Sequence, residues 1–505
     1  MVFSSLEFIY LFMPPVLAVF FLLRHLNWEK GIIWWLIISS LGFYGWWSPL
    51  HLILLLSSVG INFGLHKIIL KKQSKVALII GTIGNLATLG YFKYADFLIG
   101  NFNLITETQT PLLHVVLPLA ISFFTFQQIS FLYDTYAGNV VKCDFARYCL
   151  FVVFFPQLIA GPIVLQKHTI PQFKLSIFRH QSLLNFSVGT TLFVIGLFKK
   201  IVLADGVAPM ANSVFNLADA GQAVPMEAAW MGAIAYTFQI YFDFSGYCDM
   251  ALGIARMFGI RLPLNFNSPY KSLSIIDFWR RWHITLSTFL RDYLYFPMGG
   301  NRKGVPRRYI NLTATMILGG LWHGASWNFV IWGALHGTYL IINHAWRGLD
   351  LPALGETYLS PFVYSMGARM FTLTAVIIAW VFFRAESISG ATKILGGMFG
   401  VSEYHSAKIW VDILQDGGFF WAQAFFLAVI VFVYPNSVEI VRKYRPALEI
   451  RALIKGRAWQ SMSWWRSLAW RPSPGWSAAL FIIGLASIIQ IYRLDELTEF
   501  IYFNF

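Results

Sequence analysis

Two histidines stand in a hydrophobic stretch at 319–336, where an ionisable side chain is costly and is usually functional. His323 lies between glycines in the sequence GGLWHG, and His336 follows thirteen residues later. A neutral imidazole can take a proton from an alcohol while a second group stabilises the oxyanion. We therefore interpret His323 as a candidate general base. The alternative is a buried histidine that bonds a neighbouring carbonyl.

The residues around His323 predict an interruption of the helix. Three flanking glycines relax the backbone, and Ser326 and Asn328 are residue types that favour the start of the apolar helix that follows. We expect His323 at a helix start or break, where amide donors and the positive end of the dipole suit a neutral imidazole and a developing anion. His336 fits a supporting catalytic role or plain helix packing, because at about 100° per residue a continuous helix puts it on another face.

Charged residues before this stretch could bind a donor or orient a histidine. Asp243 and Asp249 could orient the histidine or pair with arginines, and charge pairing is the simpler interpretation. Arg280, Arg281 and His283 could hold a phosphate-bearing donor at a cytoplasmic mouth. Anchoring to lipid headgroups is the alternative for these basic residues.

Large aromatic and short polar side chains are predicted to line a cavity beside the histidines. These are Trp279, Trp282, Trp322, Asn328 and Asp243. Tryptophan is also the ordinary residue of a membrane interface, which is the alternative for the three indoles. No metal centre is predicted, because the eleven histidines are scattered and no H-E-x-x-H motif occurs. The three cysteines lack metal or pairing spacing and are interpreted as free thiols.

The elements that carry these residues are predicted to be membrane helices. The 505 residues are 57% hydrophobic and only 12% charged, and apolar runs recur along the whole length. The runs lie near residues 7–23, 31–47, 50–66, 76–98, 113–132, 183–204, 227–244, 311–322, 327–345, 362–384, 418–434 and 475–492. The run 311–322 is short for a span, so we expect it to be tilted, buried or re-entrant. We predict one all-α domain over 1–505, with about 11–13 transmembrane or re-entrant helices.

The net charge of +14 is first a topology signal, because lysine and arginine gather in cytoplasmic loops. The basic segments 246–310 and 442–471 are predicted to be cytoplasmic, and Trp464, Trp465 and Trp470 are expected as interface anchors of the second. The N-terminus and the loops 99–112 and 205–226 are predicted to be external. Nucleic-acid binding is not favoured, because the basic residues flank hydrophobic segments and form no separate domain.

Two segments are predicted to depart from simple spans. Proline and glycine interrupt 148–165, which favours a re-entrant segment or a kinked span. Apolar residues at helical spacing over 277–296 predict an amphipathic helix that lies along the cytoplasmic interface or dips into it.

Several motifs together resemble the bacterial polysaccharide branch of the membrane-bound O-acyltransferase (MBOAT) family. They are PLAISFFTFQ at 118–127, FPQLIAGP at 155–162, YFDFSGY at 241–247, DFWRRWH at 277–283, GLWHG at 320–324 with His336, and WVFFRA at 380–385. The resemblance covers essentially residues 1–400. It implies a helix bundle around a central cavity that passes an acyl group from a cytoplasmic thioester to an outside acceptor. It places the invariant histidine of the family at His323.

For this branch, the resemblance implies O-acetylation of an exported polysaccharide such as alginate. The implied donor is acetyl-CoA, with no tightly bound cofactor, and the implied location is the bacterial inner membrane, in contact with membrane lipids. The implied partners are the polysaccharide acceptor and a periplasmic acetyltransferase of the SGNH-hydrolase type, as AlgJ and AlgX are in alginate acetylation.

Three other functions remain as alternatives. A DltB-like protein would transfer D-alanine from a carrier protein, although the greater length of this chain favours acetyl transfer. A membrane transporter often shows paired broken helices, and only one broken histidine segment occurs here. A structural scaffold would leave His323 unexplained.

Overall fold

The apolar runs of the sequence fold as helices, since a segment in lipid must satisfy its own backbone hydrogen bonds. The computed structural model describes residues 1–349, 360–401, 408–415, 417–448, 468–493 and 500–501, and within these ranges no strand forms. The long helices of the described parts are α1 (Glu7–His25), α2 (Glu29–Trp47), α3 (Pro49–Lys72), α4 (Lys75–Thr106), α5 (Ile121–Tyr136), α6 (Ser182–Ala204), α7 (Met226–Met257), α8 (Gly304–His323), α9 (Trp327–Gly348), α10 (Pro361–Arg384), α11 (Gly417–Phe432) and α12 (Pro474–Arg493).

Shorter helices connect these long ones. They are Phe145–Val153, Phe155–Leu158, Gln166–Thr169, Leu175–Arg179, Ala208–Asp219, Ile275–Trp279, Ile284–Leu290, Arg291–Tyr295, Ile388–Met398, Lys408–Gln415 and Ser437–Ile440. Within the described residues, six of the long helices are both long and apolar enough to cross a membrane: α1, α3, α4, α6, α10 and α12. The prediction of an all-α, multi-pass membrane protein is therefore confirmed.

Each predicted apolar run coincides with one of the twelve long helices, although several boundaries differ, two of them for a clear reason. α5 begins only at Ile121, because Ala120 takes a left-handed conformation with φ 63°. α8 begins at Gly304 and has 20 residues, which rise about 30 Å. The helix is therefore longer than the predicted run, but it is not among the six that are long and apolar enough to cross a membrane, so the expectation that it is tilted, buried or re-entrant stays a prediction.

The proline-rich segment 148–165 does not form a continuous span. Helix Phe145–Val153 ends at Phe154, and one further turn, Phe155–Leu158, follows it. Nine helical residues rise about 14 Å, which is less than half of a bilayer core of about 30 Å. The structure therefore supports the re-entrant alternative.

The prediction of one amphipathic helix over 277–296 is wrong. Helix Ile275–Trp279 ends before His283, whose backbone is left-handed with φ 41°, and a new helix begins at Ile284. Trp282 is 1% exposed and His283 is 0% exposed, so the part of the segment around the break folds into the protein core. A broken buried helix keeps its apolar residues at the same spacing as an interfacial helix, so periodicity could not separate the two.

The second basic segment, 442–471, lies only partly within the described residues. Trp464 and Trp465 fall outside them. Trp470 is 3% exposed, and its ring centroid lies 5.0 Å from that of Tyr444. Trp470 therefore packs inside the protein and does not serve as the predicted interface anchor.

α7 is the central helix of the bundle, and it packs on α6 through two reciprocal pairs of glycines. A Cβ atom at Gly253 would lie 2.5 Å from the carbonyl oxygen of Gly189, and one at Gly246 would lie 2.7 Å from that of Gly196. The hydrophobic effect does not drive helices together in lipid, so close backbone approach at small residues is a main source of packing energy.

Buried ion pairs join the same two helices. Lys199 Nζ lies 2.7 Å from Asp249 Oδ2, and Lys200 Nζ lies 2.9 Å from Asp243 Oδ1 and 2.8 Å from Asp205 Oδ1. Charge pairing of Asp243 and Asp249 is therefore confirmed. The partners are lysines of α6, and the prediction of arginine partners is wrong.

We predict that Gly253→Ala destabilises the protein, because its methyl group would also lie 2.7 Å from the backbone nitrogen of Phe193. Overpacking of this kind costs about 1–3 kcal/mol. The measurement is thermal unfolding of purified protein in detergent. Gly60→Ala in α3 is the matched control, since a Cβ there meets nothing within 4 Å. Equal melting temperatures for the two variants would contradict the role of the glycine pairs.

Candidate active site

His323 is the last residue of α8, and a break at 324–326 precedes α9. A Cβ atom at Gly320 would lie 2.1 Å from the carbonyl oxygen of Phe329, while Gly324 has extended backbone with φ −163°. The glycines near His323 therefore let two antiparallel helices approach closely. Their role is therefore close helix packing, whereas the prediction from the sequence was that they relax the backbone around His323.

Of the predicted helix start or break at His323, the break is confirmed and the start is wrong, because the residue lies at the carbonyl end of α8. The last four carbonyls of a helix have no partner within it. Lys93 Nζ donates to the carbonyl oxygens of Trp322 at 2.6 Å and His323 at 3.1 Å, and the Tyr94 hydroxyl donates to that of Leu321 at 2.6 Å. Side chains of α4 thus cap three consecutive carbonyls.

Sequence reasoning did not predict Lys93 and Tyr94 as site residues. The available signal was a lysine inside the predicted span 76–98, since an ionisable residue at membrane depth points to function. The structure adds that both residues lie in a π-helical segment, Gly90–Tyr94, in the middle of α4. Short π-helical segments occur frequently at functional sites.

The two histidines approach the same indole ring. The ring centroid of Trp332 lies 5.1 Å from that of His323 and 4.8 Å from that of His336. Both histidines are buried, with exposures of 3% and 0%. The break at 324–326 turns the chain back, so the structure brings together two residues that a continuous helix would hold on different faces.

His336 is held by the short helix that precedes the arginines. Trp279 Nε1 donates to His336 Nδ1 at 3.3 Å, and the ring of Phe278 stacks parallel to the imidazole at a centroid distance of 6.1 Å. Because Nδ1 accepts this bond, the neutral imidazole carries its hydrogen on Nε2. These contacts fit both a supporting role and helix packing.

His283 lies beside His323, with ring centroids 6.4 Å apart. Its Nδ1 is 3.1 Å from Asn265 Oδ1, which also accepts from the Thr285 hydroxyl at 2.9 Å. Asn265 Oδ1 can only accept, so Nδ1 of His283 is the donor in this bond. His283 is 0% exposed and so lies deeper than a surface mouth; its binding of a donor stays a prediction.

The two arginines predicted to bind the donor lie nearer the surface. Arg280 is exposed, and Arg281 Nε forms an ion pair with Asp277 Oδ1 at 2.9 Å. Arg280 directly follows Trp279, which bonds to His336, so the exposed arginine lies within one helical turn of the aromatic residues around that histidine. Their binding of a donor stays a prediction.

A cavity of about 730 Å³ opens beside the break between α8 and α9. Its polar wall residues include Lys93, Asp96, Gln239, Ser326, Arg384 and Glu386. Other wall residues are Ala208 and Asn212, in the loop region 205–226 that is predicted to be external. The cavity therefore opens toward the predicted external side, and we call it the outer cavity. Gly324, Phe329 and Phe383 form the part of the wall nearest to His323, whose ring centroid is 5.1 Å from that of Phe383.

The wall of this cavity contains none of the five residues that were predicted to line it, namely Trp279, Trp282, Trp322, Asn328 and Asp243. Asn328 Nδ2 instead donates to the Ala385 carbonyl oxygen at 2.6 Å, and Asp243 pairs with a lysine. Trp279 packs against His336, Trp322 packs against His323, and Trp282 packs against Trp380. Burial of large aromatic side chains outweighs their exposure to a water-filled space.

Comparison with known proteins matches residues 135–382 to the model of MBOAT, the membrane-bound O-acyltransferase family. The peptidoglycan O-acetyltransferase of Helicobacter pylori is 42% identical over 437 residues, which are 80% of each chain. The probable alginate O-acetylase AlgI of Pseudomonas aeruginosa is 41% identical over 81% of this chain and 77% of its own. A teichoic acid D-alanyltransferase of Streptococcus thermophilus is 29% identical over 45% of this chain and 57% of its own.

We predict that the cavity is reached from outside the cell. In a Cys143→Ser background, Ser326→Cys should react with a membrane-impermeant maleimide added to intact spheroplasts, because Ser326 lies in the cavity wall. Arg302→Cys is the control on the predicted cytoplasmic side, and it should react only after permeabilisation. The reverse pattern of labelling would overturn the predicted topology.

Proposed function

Because the chain belongs to the membrane-bound O-acyltransferase family, we propose that it O-acetylates an exported polysaccharide, with acetyl-CoA on the cytoplasmic side as the donor and His323 as the general base. We further propose that it resides in the bacterial inner membrane. A periplasmic acetyltransferase of the SGNH-hydrolase type would complete the transfer to the polymer.

The observation that carries the proposal is the position of His323. The residue is 3% exposed and lies where a helix stops inside the protein, with the outer cavity next to the break and an aromatic cluster around its ring. Donor and acceptor are on opposite sides of the bilayer, so their reacting atoms must meet within the protein. The buried imidazole of His323 beside a cavity supports the proposal that they meet there.

The chemistry needs few catalytic groups, because a thioester is already activated. In the proposed step, the imidazole of His323 takes the proton of an acceptor hydroxyl as its oxygen attacks the acetyl carbonyl carbon. The carbon–sulfur bond then breaks, and the leaving thiolate of CoA takes up a proton. Positioning of donor and acceptor supplies much of the remaining rate enhancement.

The similarity pattern supports acetyl transfer over D-alanyl transfer. The two relatives named for O-acetylation are each at least 41% identical over about four fifths of this chain. The relative named for D-alanyl transfer covers less than half of it. One of the two acetylating relatives is named for peptidoglycan and the other for alginate, so the polymer is left open in the proposal.

We expect purified wild-type protein to release CoA from radiolabelled acetyl-CoA, and His323→Ala to lose about 10²–10⁴-fold in rate, as removal of a general base does. His336→Ala should keep measurable activity, because His336 contacts the site through Trp332. Membrane levels and melting temperatures of both variants are the controls. A His323→Ala protein that is present at the normal level and still acetylates would refute the proposed base.

If wild-type protein does not react with acetyl-CoA but accepts D-alanine from a carrier protein, the result would instead support D-alanyl transfer, the alternative within the family. The same purified protein, offered both donors in parallel, therefore decides between the two. Gene neighbourhood and analysis of acetyl groups on the cell's polymers would identify the acceptor.

We also expect Arg280 and Arg281 to bind the phosphate groups of the donor. A hydrogen bond to a charged group contributes about 1.5–3 kcal/mol, so the double change to glutamine should raise the KM for acetyl-CoA about tenfold or more for each arginine. The control is a double change of Arg302 and Arg307, which removes the same charge from another exposed region. An equal rise in KM for both pairs would contradict donor binding by Arg280 and Arg281 and favour the alternative that they bind lipid headgroups.

A further inference from the structure

We propose that Lys93 is a positioning residue of the acyl-transfer site. Its ammonium group fixes the carbonyl end of α8, and with it the backbone of His323, and it offsets the negative charge of that helix end beside the reacting atoms. The inference rests on the proposed role of His323 as the base.

The contacts of Lys93 tie three helices together at the catalytic histidine. Its Nζ lies 3.1 Å from the carbonyl oxygen of His323, 2.6 Å from that of Trp322 and 3.4 Å from the hydroxyl of Ser122. An ammonium group has three donors, and these three acceptors account for them. Lys93 from α4 thus holds the last residues of α8 against the first turn of α5.

The charge of Lys93 is not used in an ion pair within the described part of the chain. By contrast, the two buried lysines Lys199 and Lys200 each lie within 3 Å of a carboxylate. Asp96, three residues from Lys93, accepts instead from the backbone N–H groups of Leu113 and His114. A lysine that is half-buried within an apolar helix and contacts only neutral oxygens is costly, which indicates that its charge has a use.

That use follows from where α8 ends. The carbonyl end of a helix carries a partial charge of about −0.5, which acts most strongly within the last turn. Attack on a thioester places a negative charge on the carbonyl oxygen, and a negative helix end nearby would oppose it, the more so in surroundings of low dielectric constant. An ammonium group in contact with those carbonyls offsets this opposition, whereas the neutral hydroxyl of Tyr94 caps a carbonyl without doing so.

Lys93 also faces the outer cavity, because it contributes to the cavity wall. An acceptor in this cavity would therefore contact Lys93 as well as the wall residues next to His323. This position separates Lys93 from a lysine that only stabilises the fold in a closed interior.

The test compares purified wild type with Lys93→Met, Lys93→Arg and Tyr94→Phe in the acetyl-CoA assay. Lys93→Met should lower kcat about tenfold or more, since a charge-assisted bond is lost, while the KM for acetyl-CoA stays unchanged. Lys93→Arg should recover much of the rate because it restores a cation. Tyr94→Phe removes a neutral cap from the same helix end, and kcat should fall less than about fivefold. An unchanged kcat in Lys93→Met, or equal losses in Lys93→Met and Tyr94→Phe, would overturn the proposal.

A second measurement does not depend on activity. Amide hydrogen exchange of the peptide 319–328 should be faster in Lys93→Met than in wild type and should return toward wild type in Lys93→Arg. Unchanged exchange in Lys93→Met would refute the anchoring of His323, even if wild-type protein did not use acetyl-CoA. Failure of wild type to release CoA, together with faster exchange in Lys93→Met, would instead count against the proposed function alone.

Discussion

A helix that ends inside a membrane leaves carbonyl oxygens that lipid cannot satisfy, and much of this structure follows from that constraint at the end of α8. The break after His323 creates the turn that places two histidines on one indole. It also requires donors from elsewhere, which α4 supplies through Lys93 and Tyr94. Asn328 at the start of α9 in turn caps the Ala385 carbonyl just beyond α10. The hydrogen bonds that satisfy these free carbonyl oxygens therefore also fix the neighbouring helices around the site.

The rest of the bundle provides a rigid support for that arrangement. α6 and α7 are held together by backbone contacts at glycines and by two sets of buried ion pairs, so neither helix can shift without exposing charge. α7 contacts the turn that carries His283, since Phe244 packs edge-on to the imidazole at a centroid distance of 4.8 Å. Positional accuracy at a reaction centre depends on such supporting contacts.

The helices could largely be predicted from the sequence, because the need for about 20 apolar residues per span is a local property. His323 could be found as well, since a histidine among glycines in an apolar run is unusual. Lys93 was missed because its partners lie about 230 positions away in the chain. The break at His283 was missed because helical periodicity continues through it. Asp243 was assigned charge pairing correctly from its residue type, but its partner depended on how α6 and α7 pack.

The phenylalanines between His323 and the cavity have a consequence for the membrane itself. Phe329 and Phe383 pack edge to face at a centroid distance of 5.0 Å and stand between the imidazole and the space open to water. A continuous wet path through a membrane protein would let protons leak down their gradient. Packed aromatic rings exclude water, so this pair would oppose such a leak at this point of the cavity wall and help to conserve the energy stored across the membrane.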